Sequence, residues 1–282
     1  MTPSESHRAW QNSTHAELFD AWANLPLSAL RKTYESFNEI RLLVQHESHL
    51  KGRHFLELGC ATGELYRYLR YRHPQFQYVG FDISKVAIER AGQKYPAGRF
   101  FVCGIDLDQI QNHQPRPDIL FARDVVHHQP CPLEFLGKLL AIPREAVFLR
   151  IRTRDQGKSV LDPDQSCQWN YQHWAPYMVL NTDEVIATIS QIKIVEKICI
   201  YKHYQVLGGR HNRFLPKECY DPATGTAETA VYVKFSKEHR DSPQIVVQAV
   251  PDARPEYSWM DNLLSRLKPA MNTKCKPSVG KA

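Results

Sequence analysis

The segment HFLELGCATGEL, residues 54–65, combines an acid, a tight small-residue turn and the start of a helical pattern. Its spacing is E-x-G-x-A-x-G, from Glu57 to Gly63. Gly59 follows an apolar run where the chain must turn sharply, and glycine adopts a positive φ without steric cost. Small residues later in the turn let a ligand approach the backbone at the N-terminus of the next helix. The pattern therefore predicts a ligand-binding turn made of Glu57, Gly59, Cys60, Ala61 and Gly63.

A dinucleotide fingerprint is the nearest competing interpretation of this turn, since it uses the same strand–turn–helix architecture. That fingerprint requires G-x-G-x-x-G. Counting from Gly59, Ala61 and Glu64 stand where the second and third glycines are needed. The sequence therefore disfavours a dinucleotide site.

Short apolar runs and helical segments alternate after residue 54, and they must position this turn. The runs are HFLEL, QYVGFD, RFFVCGI, DILFAR and EAVFLRI, and IKIVEKICIYKHY and TAVYVKFSK follow as late strands. Alternation of this kind implies right-handed crossovers and a parallel sheet covered on both faces. Ligands of such sheets bind at the carboxyl ends of the strands, near the point where the strand order reverses.

Residues 54–152 resemble the Rossmann-like (class I) S-adenosylmethionine (SAM)-dependent methyltransferases. LELGCATG resembles the first motif of that family, with alanine in place of the usual middle glycine. VGFDISKVAIERA is similar to the second motif, FVCGIDLDQI to the third, and PDILFARDVVHHQP to the fourth strand and its loop. The resemblance implies a doubly wound α/β fold with a mostly parallel seven-stranded sheet whose last strand is antiparallel. It also implies SAM as cofactor and S-adenosyl-L-homocysteine (SAH) as product.

Several cofactor-binding residues follow from this resemblance. Asp82 ends the second strand, 19 residues after Gly63, which suits a carboxylate that accepts both ribose hydroxyls; the alternative is a helix-capping acid. The adenine contact is left open between Asp106 and the backbone near it, because Ile105 interrupts the usual order. Glu57 either holds the glycine turn or meets the ammonium of the cofactor through water. The remaining cofactor residues that the resemblance implies are Ile83, Gly104, Ile105 and Arg123.

His127 and His128 follow the fourth strand, close to where the resemblance places the sulfonium methyl. A neutral imidazole can accept the proton of an attacking hydroxyl or amine near pH 7, so both are candidate catalytic residues. The alternative is a role in packing or loop hydrogen bonding, since methyl transfer can also proceed by positioning. The neighbouring Arg123 either binds a substrate anion or pairs with Asp124, and the sequence favours the pair.

Residues 155–180 form a long connection without periodicity, and such connections are often functional. Before it, Arg150, Arg152 and Arg154 alternate along a strand and therefore project to one side. Aromatic side chains with a polar end suit a pocket for a flat, partly polar substrate, although they could also form a small core of their own. The predicted substrate-binding residues are Arg152, Trp169, Tyr171, His173 and Trp174.

No metal site is predicted. His173, His203 and His211 lie in the later half of the chain with Cys167 and Cys219. No pair of these residues has the tight ligand spacing of a zinc motif.

The composition is that of an ordinary globular protein, with 43% hydrophobic and 23% charged residues among 282. No apolar run approaches the ~20 residues of a membrane span, and the polar N-terminal segment lacks a signal-peptide core. Seven scattered cysteines without a C-x-x-C pair fit a reducing compartment. We therefore expect a cytoplasmic protein without membrane partners. The net charge of +6 points only weakly to nucleic acid.

We expect three sections in this chain. Residues 1–50 form an N-terminal helical cover, in which Leu30, Tyr34, Phe37 and Val44 make an apolar stripe. Residues 51–240 form the SAM-binding domain, with substrate-side loops at 155–180 and 205–228. Residues 241–282 form an extended, partly disordered C-terminal extension.

The expected function is transfer of a methyl group to an O, N or S nucleophile of a small or medium-sized molecule. One alternative is a tRNA or rRNA base methyltransferase, which the basic charge permits, although no N-P-P-Y-like tetrapeptide is present. Another alternative is a non-catalytic interaction protein with the same fold.

Overall fold

Helices precede the first strand in this computed structural model, which describes residues 7–204 and 213–250. They are α1 (Arg8–Gln11), α2 (Ser13–Ala23), α3 (Leu27–Ser36) and α4 (Asn38–His46). The predicted apolar stripe is divided between α3 and α4, because Phe37 takes an extended backbone (φ −79°, ψ 135°) that ends one helix and begins the next. Leu30, Tyr34 and Phe37 nevertheless pack into one buried cluster, with Val44 at its edge.

Strands and helices then alternate as the sequence predicts. The strands are β1 (His54–Leu58), β2 (Gln77–Asp82), β3 (Phe100–Val102), β4 (Ile119–Arg123) and β5 (Ala146–Arg154). The helices between them are α5 (Glu64–Arg72), α6 (Lys85–Lys94), α7 (Asp108–Gln111) and α8 (Pro132–Leu140). Ser84 caps the N-terminus of α6, since its hydroxyl accepts a hydrogen bond from the Ala87 N–H at 3.2 Å.

The second half of the chain adds strands on one side of the sheet and a small separate sheet above it. The remaining elements are β6 (Cys167–Asn170), β7 (His173–Pro176), β8 (Leu180–Asn181), α9 (Thr182–Ser190), β9 (Val195–His203), β10 (Arg213–Phe214), β11 (Ala227–Phe235) and β12 (Gln244–Ala249). Strands β10, β6 and β7 form a three-stranded antiparallel sheet. The connection 155–180 is therefore partly a β-hairpin and not irregular throughout, which corrects the prediction from its lack of periodicity.

The main sheet has the strand order β12-β9-β11-β5-β4-β1-β2-β3, with β8 paired to the end of β5. Strands β1 to β5 are parallel to one another, and β11 runs antiparallel to both β5 and β9. Strands β1–β5, β9 and β11 give the predicted seven-stranded core, with β11 as its antiparallel last strand; β8 and β12 enlarge the sheet to nine strands, which the sequence did not predict. The order reverses at β1, which has β2 on one side and β4 on the other, so a crevice opens at the carboxyl ends of these strands.

Both faces of the sheet are buried, as expected for parallel strands with helices on each side. Leu56 and Leu58 of β1 point into one large apolar cluster, whereas Phe55 points into the other. This alternation fixes the register of β1 with respect to its neighbours, because a slip of one residue would reverse the faces. The carboxyl ends of β1, β2 and β4 are therefore held in a defined arrangement.

The beginning of the predicted C-terminal extension contains structure that the sequence did not reveal. Strand β12 lies within it and pairs in parallel with β9. The rest of the extension, residues 251–282, and residues 205–212 of the second predicted substrate-side loop lie outside the described residues. Within the described ranges, every helix falls short of the length and apolar character that crossing a bilayer requires.

Candidate active site

A cavity of about 350 Å³ lies at the carboxyl ends of the parallel strands. Its wall includes residues that follow β1, β2 and β4, together with two arginines of β5. Side chains of α1 and α2 and of the β6–β7 hairpin cover it from the other side. This is the crevice at the switch point of the sheet, where ligands of doubly wound folds bind.

The glycine turn forms one wall of this cavity. Gly59 and Gly63 have φ of +79° and +84°, and Ala61 between them has φ of +45°. A Cβ atom on Gly59 would lie 2.6 Å from Cγ2 of Val125, so both the backbone and the space require glycine there. Gly59 and Ala61 line the cavity, whereas Gly63 lies outside the lining and faces the rings of Phe100 and Tyr95.

Two further residues predicted in this turn lie behind the cavity wall. Glu57 is buried and accepts a hydrogen bond from the Tyr78 hydroxyl, and burial raises the pKa of its carboxyl to about 8. Cys60 is buried with its thiol against Gly80. The Glu57 side chain is therefore bonded to β2 behind the cavity wall, and both of its predicted roles stay predictions.

Asp82 lies at the cavity wall where the sequence expects it. One carboxylate oxygen accepts the Ala61 N–H at 2.9 Å, and the other accepts the Ser84 N–H at 2.8 Å. A carboxylate oxygen can accept two hydrogen bonds, so each retains a free lone pair. Asp82 can thus hold the glycine turn and still bind two hydroxyl groups of a ligand.

The loop after β3 supplies backbone and apolar side chains to the cavity. Gly104 and Ile105 line it together with Ile83 from the loop after β2. Asp106 is exposed and outside the lining residues. Its carboxylate instead lies 3.5 Å from the Asp108 N–H at the start of α7. Of the two options that the sequence left open for this position, the geometry favours the backbone.

Arg123 has different partners from those that the sequence favours. Its guanidinium carbon lies 5.1 Å from the ring centroid of Tyr34 and 4.9 Å from that of Phe37. One guanidinium nitrogen, Nη1, is buried without a hydrogen-bond partner, and the residue lines the cavity. The predicted ion pair with Asp124 is wrong, because Asp124 adopts a left-handed backbone (φ +56°) and turns toward β5.

Asp124 is paired with the arginines of β5. It accepts a hydrogen bond from Nε of Arg150 at 3.0 Å, and Nη1 of Arg152 lies 3.5 Å from its Oδ1. Burial opposes ionisation of Asp124, but the two guanidinium groups outweigh burial and hold the pKa well below its usual range. Arg150 and Arg152 line the cavity, whereas Arg154, two residues on, donates to the carbonyl of Gln156 outside it.

The two histidines follow β4 on a short 3₁₀ turn and are both buried at the cavity wall. Nδ1 of His128 lies 2.7 Å from the Pro176 carbonyl, which can only accept, so Nδ1 carries the proton and Nε2 carries the lone pair. Neither ring nitrogen of His127 has a hydrogen-bond partner, and its Nε2 lies 3.9 Å from Oδ1 of Asp124. Burial lowers the pKa of His128 to about 4, and burial together with the neighbouring His128 ring holds the pKa of His127 well below its usual range.

The aromatic hairpin contributes to the cavity with a different set of residues from the predicted one. Trp169 and Trp174 pack on each other with ring centroids 5.1 Å apart, and Trp169 is 42% exposed. Of the predicted residues in this hairpin, Tyr171 at the turn lines the cavity, while His173 and the two tryptophans do not. Since side chains alternate along a strand, Gln168 and Asn170 of β6 line the cavity and Trp169 points away.

Further lining residues come from segments that the sequence did not assign to the site. The N-terminal helices cover the cavity through Trp10, whose ring centroid lies 4.6 Å from that of His128. The Asn12 side-chain amide donates to the Tyr171 carbonyl at 3.2 Å, which joins this cover to the hairpin. The main lining residues outside the predicted segments are Trp10, His15, Phe19 and Glu64. Gln168, Asn170, Tyr177, Arg213 and Glu228 lie within the predicted substrate-side loops 155–180 and 205–228, although they were not among the predicted binding residues. Trp10 could have been singled out in the sequence, because it is a large aromatic residue within an otherwise polar N-terminal segment.

The described residues contain no group of three or more histidine, cysteine, aspartate or glutamate side chains placed to hold a metal ion.

Comparison with known proteins identifies the class of this domain. Residues 56–143 match the family model described as a methyltransferase domain. Among solved structures, magnesium protoporphyrin IX methyltransferase from Synechocystis PCC 6803 with bound SAM is 14% identical, with 78% of this chain and 79% of that chain covered and a TM-score of 0.42. The plantazolicin methyltransferase BpumL in complex with SAH is 14% identical, with 82% and 94% covered and a TM-score of 0.49. These two likenesses are distant, so the assignment depends on the family match and the fold.

The matched segment runs from β1 through the glycine turn to α8, and the sheet has its order reversal at the same turn. Residues 56–143 therefore form a methyltransferase domain, and the sheet has the doubly wound order that the resemblance to SAM-dependent methyltransferases predicts. The cavity fits SAM, because it combines a carboxylate with free lone pairs, Asp82, and a buried guanidinium with an unpartnered nitrogen, Arg123.

Proposed function

We propose that this enzyme methylates an O, N or S nucleophile of a small or medium-sized molecule. In this proposal Asp82 accepts the two ribose hydroxyls of SAM. The adenine lies against Ile83 and the backbone of Gly104 and Ile105. The support for this assignment is that all four residues line the cavity and that they lie at or after the carboxyl ends of two adjacent strands, β2 and β3.

The amino-acid end of SAM would lie at the opposite wall. Arg123 supplies a buried guanidinium with a free N–H for the carboxylate. Glu64, the first residue of α5, supplies a carboxyl group for the ammonium, and burial raises its pKa to about 7. A bound ammonium favours the ionised form of a neighbouring carboxyl group. These two side chains therefore match the two charges of the ligand.

The observation that carries the small-molecule assignment is the cover over the acceptor end. Trp10 and Tyr171 close the cavity from two separate segments, and the hydrogen bond from Asn12 to the Tyr171 carbonyl joins them. Pockets that bury most of a ligand are typical of small-molecule sites. A base within a folded RNA would have to be taken out of its stack and passed beneath this cover.

SAM supplies a methyl group on a sulfonium, which is an excellent leaving group. The protein's contribution is then mainly to hold the acceptor in line and to exclude water. The predicted role of His127 or His128 as general base stays a hypothesis. Burial lowers the pKa of both imidazoles, to about 4 for His128, and so makes them weak bases for an alcohol; we therefore assign the pair to hydrogen bonding with the ligand and to the shape of the cavity.

Labelled SAM tests this proposal directly. Purified protein is incubated with methyl-labelled SAM and, separately, with a small-molecule extract and with total tRNA and rRNA. We expect label in the small-molecule fraction. Label in RNA, together with RNA binding that is lost between roughly 50 and 200 mM salt, would favour the nucleic-acid alternative. Intact SAM binding without transfer to either fraction would favour the non-catalytic alternative.

A further inference from the structure

Three guanidinium groups meet at the acceptor end of the cavity. Arg150 and Arg152 come from β5, and Arg213 comes from β10 with its guanidinium carbon 4.7 Å from the ring centroid of Tyr177. Nε of Arg152 donates to the hydroxyl of the same tyrosine at 2.6 Å. Residues from two separate sheets therefore bring positive charge to one wall.

The carboxylates around these arginines are Asp124, Glu39 and Glu228. Asp124 lies between Arg150 and Arg152, and Glu228 lies 3.1 Å from Nη2 of Arg152. Glu39 lies 3.5 Å from Nη1 of Arg150 but is fully buried, and burial raises its pKa. Three carboxyl groups thus lie against three guanidinium groups, and burial disfavours the charged form of one of the three, Glu39.

His127 adds an independent indication that a ligand binds at this wall. Its side chain is fully buried, it lines the cavity, and neither ring nitrogen has a partner. Buried polar atoms are nearly always hydrogen-bonded, and one left unpaired costs about 1–3 kcal/mol. A neutral imidazole has one N–H to donate, so an acceptor atom of the ligand would satisfy it.

We infer, on the basis of the proposed function, that the methyl acceptor is an oxygen anion, a carboxylate or a phenolate. Arg152 and Arg213 stabilise its charge, and the N–H of His127 donates to it. The oxygen lone pair forms the new O–CH₃ bond while the CH₃–S bond breaks and its electron pair stays on sulfur. The products are a methyl ester or aryl methyl ether and SAH, and no proton is released or taken up in the step.

Other acceptors suit this wall less well. A neutral amine would become an alkylammonium beside three guanidinium groups, with no strong base to remove its proton. A neutral alcohol would need a base that the weakly basic histidines do not provide. An anion, by contrast, is stabilised by nearby positive charge in a cavity of low dielectric constant.

An acceptor panel tests this inference. The anionic acceptors are benzoate, octanoate and para-nitrophenol, and their neutral counterparts are methyl benzoate, octanol and nitrobenzene; aniline and a thiol complete the panel. We expect labelled methyl on a carboxylate or a phenolate only. Alkali releases volatile methanol from a methyl ester but not from an aryl methyl ether. This treatment therefore distinguishes a carboxylate acceptor from a phenolate acceptor.

Variants of the wall provide a second readout. Arg213→Gln should raise the KM of the anionic acceptor about 10- to 100-fold, the worth of one charge-assisted hydrogen bond. Calorimetry should show the same loss in acceptor binding to the SAH-loaded protein, with the affinity for SAH itself unchanged. The matched control is Arg154→Gln, which removes an arginine on the same strand as Arg150 and Arg152 but outside the cavity.

A paired substitution guards against misfolding at the buried ion pair. Arg152→Gln combined with Glu228→Gln removes both charges and leaves no unpaired ion. It should weaken the anionic acceptor and leave SAH binding intact.

Three outcomes would overturn the inference while methyl transfer itself stands. They are transfer to aniline or the thiol in preference to the anions, no transfer to any acid or phenol, and unchanged acceptor affinity in Arg213→Gln. If the wild-type protein does not bind SAM at all, the proposed function itself is refuted instead.

Discussion

Replacing Asp82 with alanine removes the acceptor that we assign to the cofactor ribose. In the structure each carboxylate oxygen already accepts one backbone N–H, from Ala61 at 2.9 Å and from Ser84 at 2.8 Å. The second lone pair of each oxygen remains for a ribose hydroxyl. Two hydrogen bonds to a charged group are worth about 1.5–3 kcal/mol each. A loss of about 3 kcal/mol corresponds to about a 100-fold weaker Kd for both SAM and SAH.

The same substitution has a cost in the protein without ligand. The Ala61 and Ser84 N–H groups lose their acceptor, and an unsatisfied buried donor costs about 1–3 kcal/mol. We therefore expect the free energy of unfolding to fall by about 2 kcal/mol, and the Tm to fall by several degrees. Asp82→Asn keeps an oxygen for one of these donors. It should recover part of the stability while still binding SAM poorly.

Isothermal titration calorimetry with SAM and SAH measures the affinities, and thermal unfolding measures the stability. Asp106→Ala is the matched control, because Asp106 is exposed and outside the cavity although the sequence made it a candidate. A Kd for Asp82→Ala within threefold of the wild-type value would refute the ribose assignment. An equal loss in Asp106→Ala would refute the placement of the adenine end.

Three further predictions follow from particular residues. Gly59→Ala should lower the free energy of unfolding by more than 1 kcal/mol, because φ is +79° and its Cβ would lie 2.6 Å from Val125; Gly92→Ala, in α6 with nothing within 4 Å, should raise it by about 0.5–1 kcal/mol. Equal denaturant midpoints for the Gly59→Ala and Gly92→Ala variants would contradict this prediction. Because burial lowers the pKa of His128 from 6.5 to about 4, the unfolded chain binds the proton first as the pH falls. The contribution of the neutral His128 to the free energy of unfolding is therefore complete above pH 6.5 and falls by about 3 kcal/mol as the pH drops to about 4. Urea titrations at several pH values should show a shallower pH dependence of this free energy in His128→Gln than in the wild-type protein. The same pH dependence in both proteins would contradict the prediction. Trp10→Ala should raise the KM of the acceptor at least tenfold with little change in SAM affinity, since its ring covers the acceptor end; steady-state kinetics that show an unchanged KM would remove the role of the N-terminal cover.

The glycine turn and Asp82 could be predicted from the sequence because their geometry is local. A turn with a positive φ has few compatible residues, and Gly59 and Gly63 occur where the apolar run ends. Apolar runs of strand length that alternate with helical periodicity also predict the parallel sheet and the edge at which a ligand binds. These features depend on residues close together in the chain, so spacing alone is informative.

The sequence could not predict which residues complete the acceptor end. Arg123 and Asp124 are adjacent, and their nearness suggests an ion pair. Asp124 instead meets Arg150 because β4 lies beside β5 and the backbone at 124 is left-handed. Partner choice of this kind depends on strand order and on which face each side chain takes, and nothing in the local spacing encodes it.

The cover of the cavity depends even more strongly on tertiary structure. Asn12 reaches the carbonyl of Tyr171, 159 residues away, and Arg213 reaches the same cavity from β10. Within the hairpin, the period of two decides that Gln168 and Asn170 face the cavity while Trp169 faces outward. The sequence by itself therefore predicted the ligand-binding turn and the edge of the sheet through local backbone geometry, and it predicted SAM through the family resemblance of its motifs. Only the tertiary structure decided the acceptor wall, because its charges and rings come from segments that meet after the sheet has formed.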